Sequence, residues 1–372
     1  MAEPRQRAAR RNVLSALARA RREPEPAVLA LIVGVVFGVL LAVVVGNDKP
    51  SIASGSSPAR AAHHGSSGTA RPSAPAPDHL RARLAGALRD GVRLADAEGG
   101  LAEAAVWVEG WSSPLEAGEV DQPSRLWSMS KPVTAVATLQ AARNQVSPDV
   151  RRAMEDAITR SDNCAQRRVI LELQRLDGGI AAAIRGFDLT LFEAGVAPPR
   201  PAPEAGGISS EPECTAYLEA NAAGLRDPLG PALLLGVPEW NVDGAVHFAH
   251  ALAHREYGQA GEEVLGLMRL PKQRSLEGVP QDMTAPLEWG AGAAFPGWQP
   301  AYKGGWGGSR QGAYVAGQIV VLTVGGTRVA LAAMFHPSTQ PPSDNPGATP
   351  APKALADIFA SVRRPLRALQ SR

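Results

Sequence analysis

The sequence predicts a mixed α/β protein of the α+β kind: an antiparallel sheet flanked by helices, with an all-helical lobe beside it, behind an N-terminal transmembrane helix. Three observations carry this. Residues 27–46 run for twenty positions without a charge. Residues 47–78 are rich in Ser, Pro, Ala and Gly and nearly free of large apolar side chains. Within 79–368, strand-like segments lie toward both ends and helix-like segments fill the middle.

The N-terminal region comes first. Residues 1–26 form a basic segment, with seven Arg (5, 7, 10, 11, 19, 21 and 22) against one acid, Glu3, in the first 22 positions. At 1.5 Å per helical residue, the run 27–46 reaches about 30 Å, the thickness of a bilayer core. An Arg cluster ahead of such a run is the positive-inside signal. The N-terminus is therefore expected in the cytoplasm and the rest outside, on a single-pass anchor in the cell membrane. A cleaved signal peptide fits less well, because the apolar run exceeds the usual ~7–15 residues. Residues 47–78 cannot bury enough surface to fold and read as a disordered linker. The net charge of +2 over 372 residues comes from the Arg cluster. The remainder is mildly acidic, so nothing points to nucleic acid.

In the 79–368 domain, residues 78–96 place Leu80, Leu84, Leu88 and Val92 at four-residue steps, which predicts a helix. "AAVWVEG" and "SPLEAGEV" predict two strands around a short turn. The run 128–143 is helical, with Pro132 tolerated only in its first turn. "SPDVRRAMEDAITR" starts with a Ser cap and Pro, and "NCAQRRVILELQRL" and "NVDGAVHFAHALAHREY" are further helices. "QGAYVAGQIVVLTV" and "TRVALAAMF" predict two strands around a glycine turn, and "PKALADIFASVRRPLRAL" a closing helix. Strands from both ends should meet in one antiparallel sheet, leaving a cleft against the helical lobe. Nothing suggests an oligomer, and a monomer is expected.

The chain has two cysteines, Cys164 and Cys214. Outside the cell an even pair suggests a disulfide, which over a loop of about 50 residues contributes about 4 kcal/mol. Two buried thiols are the alternative. His247, His250 and His254 share one helix face opposite Phe248 and Leu252, so that face is expected toward solvent, and no nearby acid completes a metal set. His63 and His64 sit in the linker. No metal and no cofactor are expected.

Ser128 and Lys131 are three apart, so one helical turn brings both to one face. That is either a nucleophile beside its base or a chance pair on a solvated helix. Two more short motifs follow in order, Ser161-Asp162-Asn163 between two helices and Lys303-Gly304-Gly305 ahead of the C-terminal strand pair. Only five Lys occur (49, 131, 272, 303 and 353), and two fall on these motifs.

The set resembles the Ser-x-x-Lys, Ser-Asp-Asn and Lys-Thr-Gly motifs of penicillin-recognising serine hydrolases, the class A β-lactamases and DD-peptidases. The stretches "AITRSDNCAQRRVILELQRLDGG" and "YKGGWGGSRQGAYVAGQIVVL" look closest to class A β-lactamase-like proteins. The resemblance implies the following roles. Ser128 is a nucleophile forming an acyl-enzyme, and Lys131, if its pKa is lowered, removes the Ser128 proton. Ser161 passes a proton to the leaving nitrogen. Asn163 holds the substrate amide, and Lys303 supplies positive charge for a substrate carboxylate. The backbone N–H groups of Ser128 and Trp306 form the oxyanion hole. Gly305 and Arg310 complete the substrate site, Arg310 through a carboxylate.

Two departures stand out. Gly304 replaces a hydroxyl residue, removing a hydrogen bond to a charged group worth about 1.5–3 kcal/mol. The family's deacylating Glu has an Asn four residues on. Glu193, Glu204, Glu211 and Glu213 are followed at that spacing by Ala197, Ile208, Thr215 and Tyr217. Glu211, in "EPECT", is the closest fit. A bridge from Cys164 to Cys214 would pin this loop beside the Ser-Asp-Asn turn. The implied function is a membrane-anchored, extracytoplasmic serine hydrolase acting on β-lactams. The alternatives are a D-alanyl-D-alanine carboxypeptidase or penicillin-binding protein acting on wall peptides, and a non-catalytic sensor of wall fragments.

Overall fold

The first and last strands of the domain meet at the centre of one sheet. The structure is a computed structural model that describes residues 77–120, 123–196, 239–270, 290–308, 314–339 and 349–370. In it β1 (Gly100–Val108) pairs antiparallel with β7 (Thr327–Pro337) from Gly100↔Pro337 to Val108↔Val329. The expected union of the two chain ends is therefore found. With β2 (Leu115–Gly118), β5 (Ala301–Gly308) and β6 (Tyr314–Val324), the order is β2-β1-β7-β6-β5, antiparallel throughout. A two-residue ladder joins β3 (Ser124–Arg125) to β4 (Glu239–Trp240).

Both faces of the sheet are covered. Side chains alternate along a strand, so on β7 Val329, Leu331, Ala333 and Phe335 enter one core, while Ala330, Ala332 and Met334 enter the other. The first core is closed by α1 (Pro77–Asp96) and α9 (Ala351–Leu366), with the short α8 (Gly290–Ala294) beside them. Leu80, Leu84, Leu88 and Val92 of α1 are all buried there, as their spacing predicts. The second core joins the sheet to α2 (Ser130–Ala141), α3 (Pro148–Thr159), α4 (Asn163–Asp177), α5 (Ile180–Glu193), α6 (Val242–Ala253) and α7 (Gly258–Met268). Burial on two faces explains why β6 and β7 read as nearly continuous apolar runs.

Several boundaries differ from the sequence reading. α1 starts at Pro77, inside the stretch expected to be linker, and a 3₁₀ turn carries the chain's last helix to Leu369, one residue past 368. β5 was not anticipated: Lys303 lies within a strand rather than ahead of a strand pair. Its glycine-rich sequence lacks the β-branched residues that mark strands, and its pairing with β6 supplies the structure instead. Among the described residues no helix is long and apolar enough to cross a membrane. Residues 27–46 lie outside them, as do 1–26 and most of the 47–78 linker.

Candidate active site

The site is assembled where α2, the α3–α4 connection and β5 converge. Residues Ser130 to Leu139 of α2 are all buried. An all-round buried helix is held by packing on every side rather than along one apolar stripe. Its first turn is therefore a rigid mount for Lys131. A 3₁₀ turn, Trp127–Met129, precedes it and holds Ser128. Trp127 has φ +45°, a left-handed conformation that is costly for a bulky residue, by about 1–3 kcal/mol. Local bonds over-determine it: Ser130 Oγ donates to Trp127 O at 2.7 Å, and Met129 N to Leu126 O at 2.9 Å.

Ser161 is held in the same unusual region, with φ +54°. Next to it, Asp162 caps α4, its Oδ1 accepting from Cys164 N at 2.8 Å and Ala165 N at 3.1 Å. Asp162 thus fixes the start of the helix that carries Asn163. Asp162→Ala removes both bonds and is expected to lower stability by about 1–2 kcal/mol, read from the midpoint of chemical denaturation.

β5 approaches the Trp127–Met129 turn through two glycines two residues apart. A Cβ on Gly305 would lie 2.7 Å from Leu126 O, 2.9 Å from Ser128 N and 3.0 Å from Met129 N. A Cβ on Gly307 would lie 2.2 Å from the Trp127 indole. Glycine at both positions lets the strand backbone lie against residues 126–129. Lys303, on the same face, reaches Ser161 in the α3–α4 connection.

The four predicted polar groups meet at one hydroxyl. Ser161 Oγ is 3.0 Å from Ser128 Oγ, 3.0 Å from Lys303 Nζ and 3.2 Å from Lys131 Nζ. Lys131 Nζ also donates to Ser161 O at 2.5 Å and to Asn163 Oδ1 at 2.9 Å. Lys303 Nζ donates to Gly304 O at 2.9 Å. Both lysines are only 1% exposed. Burial first, and the Lys131 charge second, hold the Lys303 amine well below the usual lysine range. Such an arrangement can carry a proton between two hydroxyls and an amine, the requirement for activating a serine.

The remaining predicted residues divide. Asn163, Gly305 and Trp306 lie on the elements that form the site. Arg310, Glu211 and Cys214 lie outside the described residues, so neither the carboxylate contact nor the deacylating base is located. Glu193 ends α5, accepting from Gln140 Nε2 at 3.0 Å. Cys164 is not a free thiol.

Sequence reasoning missed Trp127 and Gly307. The signal was the Gly-x-Gly spacing at 305 and 307, which on a strand puts two side-chain-free positions on one face. The histidine stripe needs correction. It is not turned to solvent: the His250 ring stacks on Trp107 of β1 with centroids 3.8 Å apart, His247 meets Trp107 edge-on at 4.8 Å, and His254 stacks on His250 at 3.9 Å. Burial, then the neighbouring His254 and His247, push the His250 pKa down to about 4. His247 pairs with Asp243 at 3.3 Å, and this bond raises its pKa. Among the described residues no group of three or more His, Cys, Asp or Glu side chains is placed to hold a metal.

The fold is that of β-lactamases, on three of which the chain superposes. The β-lactamase from Streptosporangium roseum is 15% identical, with 76% of this chain and 98% of that one covered, at a TM-score of 0.50. A class A β-lactamase from Bacteroides cellulosilyticus DSM 14838 is 12% identical over 77% of this chain and 98% of its own, TM-score 0.50. The class A β-lactamase from Mycobacterium abscessus is 15% identical over 75% and 98%, TM-score 0.50. At these identities the likeness is one of fold. No protein-family model matches the chain, and no curated protein matches it in sequence.

Proposed function

We propose that the protein is a serine hydrolase that forms an acyl-enzyme at Ser128, with β-lactams as its substrate class. The observation that carries this is the convergence of Ser128, Lys131 and Lys303 on the Ser161 hydroxyl, within 3.0–3.2 Å. Ser128 attacks the strained amide carbonyl. The backbone N–H groups of Ser128 and Trp306 receive the developing oxyanion, which the close approach of β5 to Ser128 N supports. Ser161 delivers a proton to the leaving nitrogen. Asn163 orients both Lys131 and the substrate amide, and Arg310 takes the substrate carboxylate. Glu211 is the candidate base for deacylation. A disulfide between Cys164 and Cys214 anchors the Glu211 loop beside Asn163. The protein acts as a monomer outside the cell membrane, anchored through residues 27–46.

A second reading is favoured by two sequence features, Gly304 in place of a hydroxyl residue and the absence of an Asn four residues after Glu211. The missing Asn weakens water-mediated release, and the missing hydroxyl loosens the hold on a substrate carboxylate, while the acylating groups stay in place. Both features fit a penicillin-binding protein or D-alanyl-D-alanine carboxypeptidase. Time-resolved labelling with a fluorescent penicillin, with Ser128→Ala as the control, separates the readings. Rapid labelling followed by release is expected for β-lactam hydrolysis. A persistent adduct supports the second reading. No Ser128-dependent adduct overturns both and leaves a wall-fragment sensor.

A further inference from the structure

Two buried lysines face one serine hydroxyl, and this poses a question of charge. Both amines lie within 3.2 Å of Ser161 Oγ, and both are shut off from water. Two ammonium groups held so close in a low-dielectric pocket repel strongly, so one is discharged at rest. The oxygens around each amine decide which. Lys131 meets two carbonyl oxygens, of Ser161 and Asn163, and the hydroxyl. A carbonyl only accepts, and its dipole favours the protonated amine. Lys303 meets one carbonyl, Gly304 O, and the hydroxyl. A neutral amine suits that pair: it can donate an N–H to each, and its lone pair takes up the hydroxyl proton once the Ser161 hydroxyl turns from Ser128.

We propose that Lys303, acting through the Ser161 hydroxyl, is the terminal acceptor of the Ser128 proton, while Lys131 remains an ammonium that holds Ser161 and Asn163 in place. This rests on the acyl-enzyme reading above and reverses the division of labour that the motifs suggest. As the Ser128 Oγ–carbonyl carbon bond forms, the Ser128 proton moves to Ser161 Oγ, and the original Ser161 proton moves to Lys303 Nζ. When the amide C–N bond breaks, Lys303 returns a proton to Ser161, and Ser161 passes one to the leaving nitrogen. The Ser128 proton has then been transferred to that nitrogen, and both side chains are restored. Among the described groups, the charge acting on Lys303 is the Lys131 ammonium on α2, and burial acts in the same direction.

The chain's five lysines make the test tractable. The full chain, in detergent micelles and labelled with ¹³C at lysine Cε, is titrated by NMR. One resonance is expected to titrate far below the usual lysine value of about 10.4. It should vanish in Lys303→Met. In Lys131→Met it should persist and titrate higher, because the neighbouring cation is gone. Either variant alone decides the assignment if the other fails to fold. In parallel, penicillin labelling of the wild type should gain an acid limb at the same pH, and Lys303→Met should slow labelling by about 10²–10⁴-fold. Loss of the low-titrating resonance in Lys131→Met, or ordinary titration of all five lysines, overturns this inference alone. Absence of any wild-type labelling overturns the acyl-enzyme reading and this inference with it.

Discussion

Ser161→Ala slows acylation by about 10²–10⁴-fold, the usual contribution of a positioned proton-transfer group. The effect is large because one oxygen serves three partners, Ser128 Oγ at 3.0 Å, Lys303 Nζ at 3.0 Å and Lys131 Nζ at 3.2 Å. Alanine removes the hydroxyl that links Ser128 Oγ to both amines among the described residues. It leaves the carbonyl of residue 161 and Asn163 Oδ1 to hold Lys131, so the site keeps its shape. Serine already bears the cost of a Cβ at φ +54°, so alanine adds little strain, and a denaturation midpoint reports any change in stability separately. Stopped-flow labelling with a fluorescent penicillin measures the rate. An unchanged rate with an intact fold removes Ser161 from the proton path.

Gly305→Ala is the second large effect, and it acts on geometry rather than chemistry. The added methyl would lie 2.7 Å from Leu126 O, 2.9 Å from Ser128 N and 3.0 Å from Met129 N. All three are backbone atoms of a turn already pinned by its own hydrogen bonds, so the strand must move instead. Overpacking of this kind costs about 1–3 kcal/mol of stability. The larger consequence is for the pair of N–H groups proposed to receive the oxyanion. Displacing β5 carries Trp306 N away from Ser128 N, and loss of one such donor costs about 10²–10³-fold in rate. Acylation rate and denaturation midpoint, measured on the same preparation, should both fall. A variant with the wild-type rate would show that β5 and the nucleophile turn are not coupled.

Much of this site was legible in the sequence because its chemistry is local. Ser128 and Lys131 are one turn apart, and Ser161, Asp162 and Asn163 form a capping turn that any reading of helix starts would notice. The four-residue steps of α1 likewise fixed its buried face before any coordinates. What escaped depends on contacts between distant segments. β5 has little intrinsic strand preference and is a strand because β6 lies beside it. The histidine stripe of α6 shows the same limit. Helical periodicity puts His247, His250 and His254 on one face, but only the fold brings Trp107 from β1 against that face. The strained Trp127 is a third case, since nothing in "RLWSM" signals a left-handed residue. The distribution of charge proposed for Lys131 and Lys303 was equally hidden, because the carbonyls that face Lys131 belong to residues 161 and 163, distant in sequence.

The most direct measurement is the location of the covalent adduct. Penicillin-treated protein is quenched, digested with trypsin and mapped by mass spectrometry. The acyl group should be found on the Leu126–Arg143 peptide, at Ser128, and should be absent from Ser128→Ala. An adduct on any other residue, or none at any time point, contradicts the claim that these four side chains form an acylating centre.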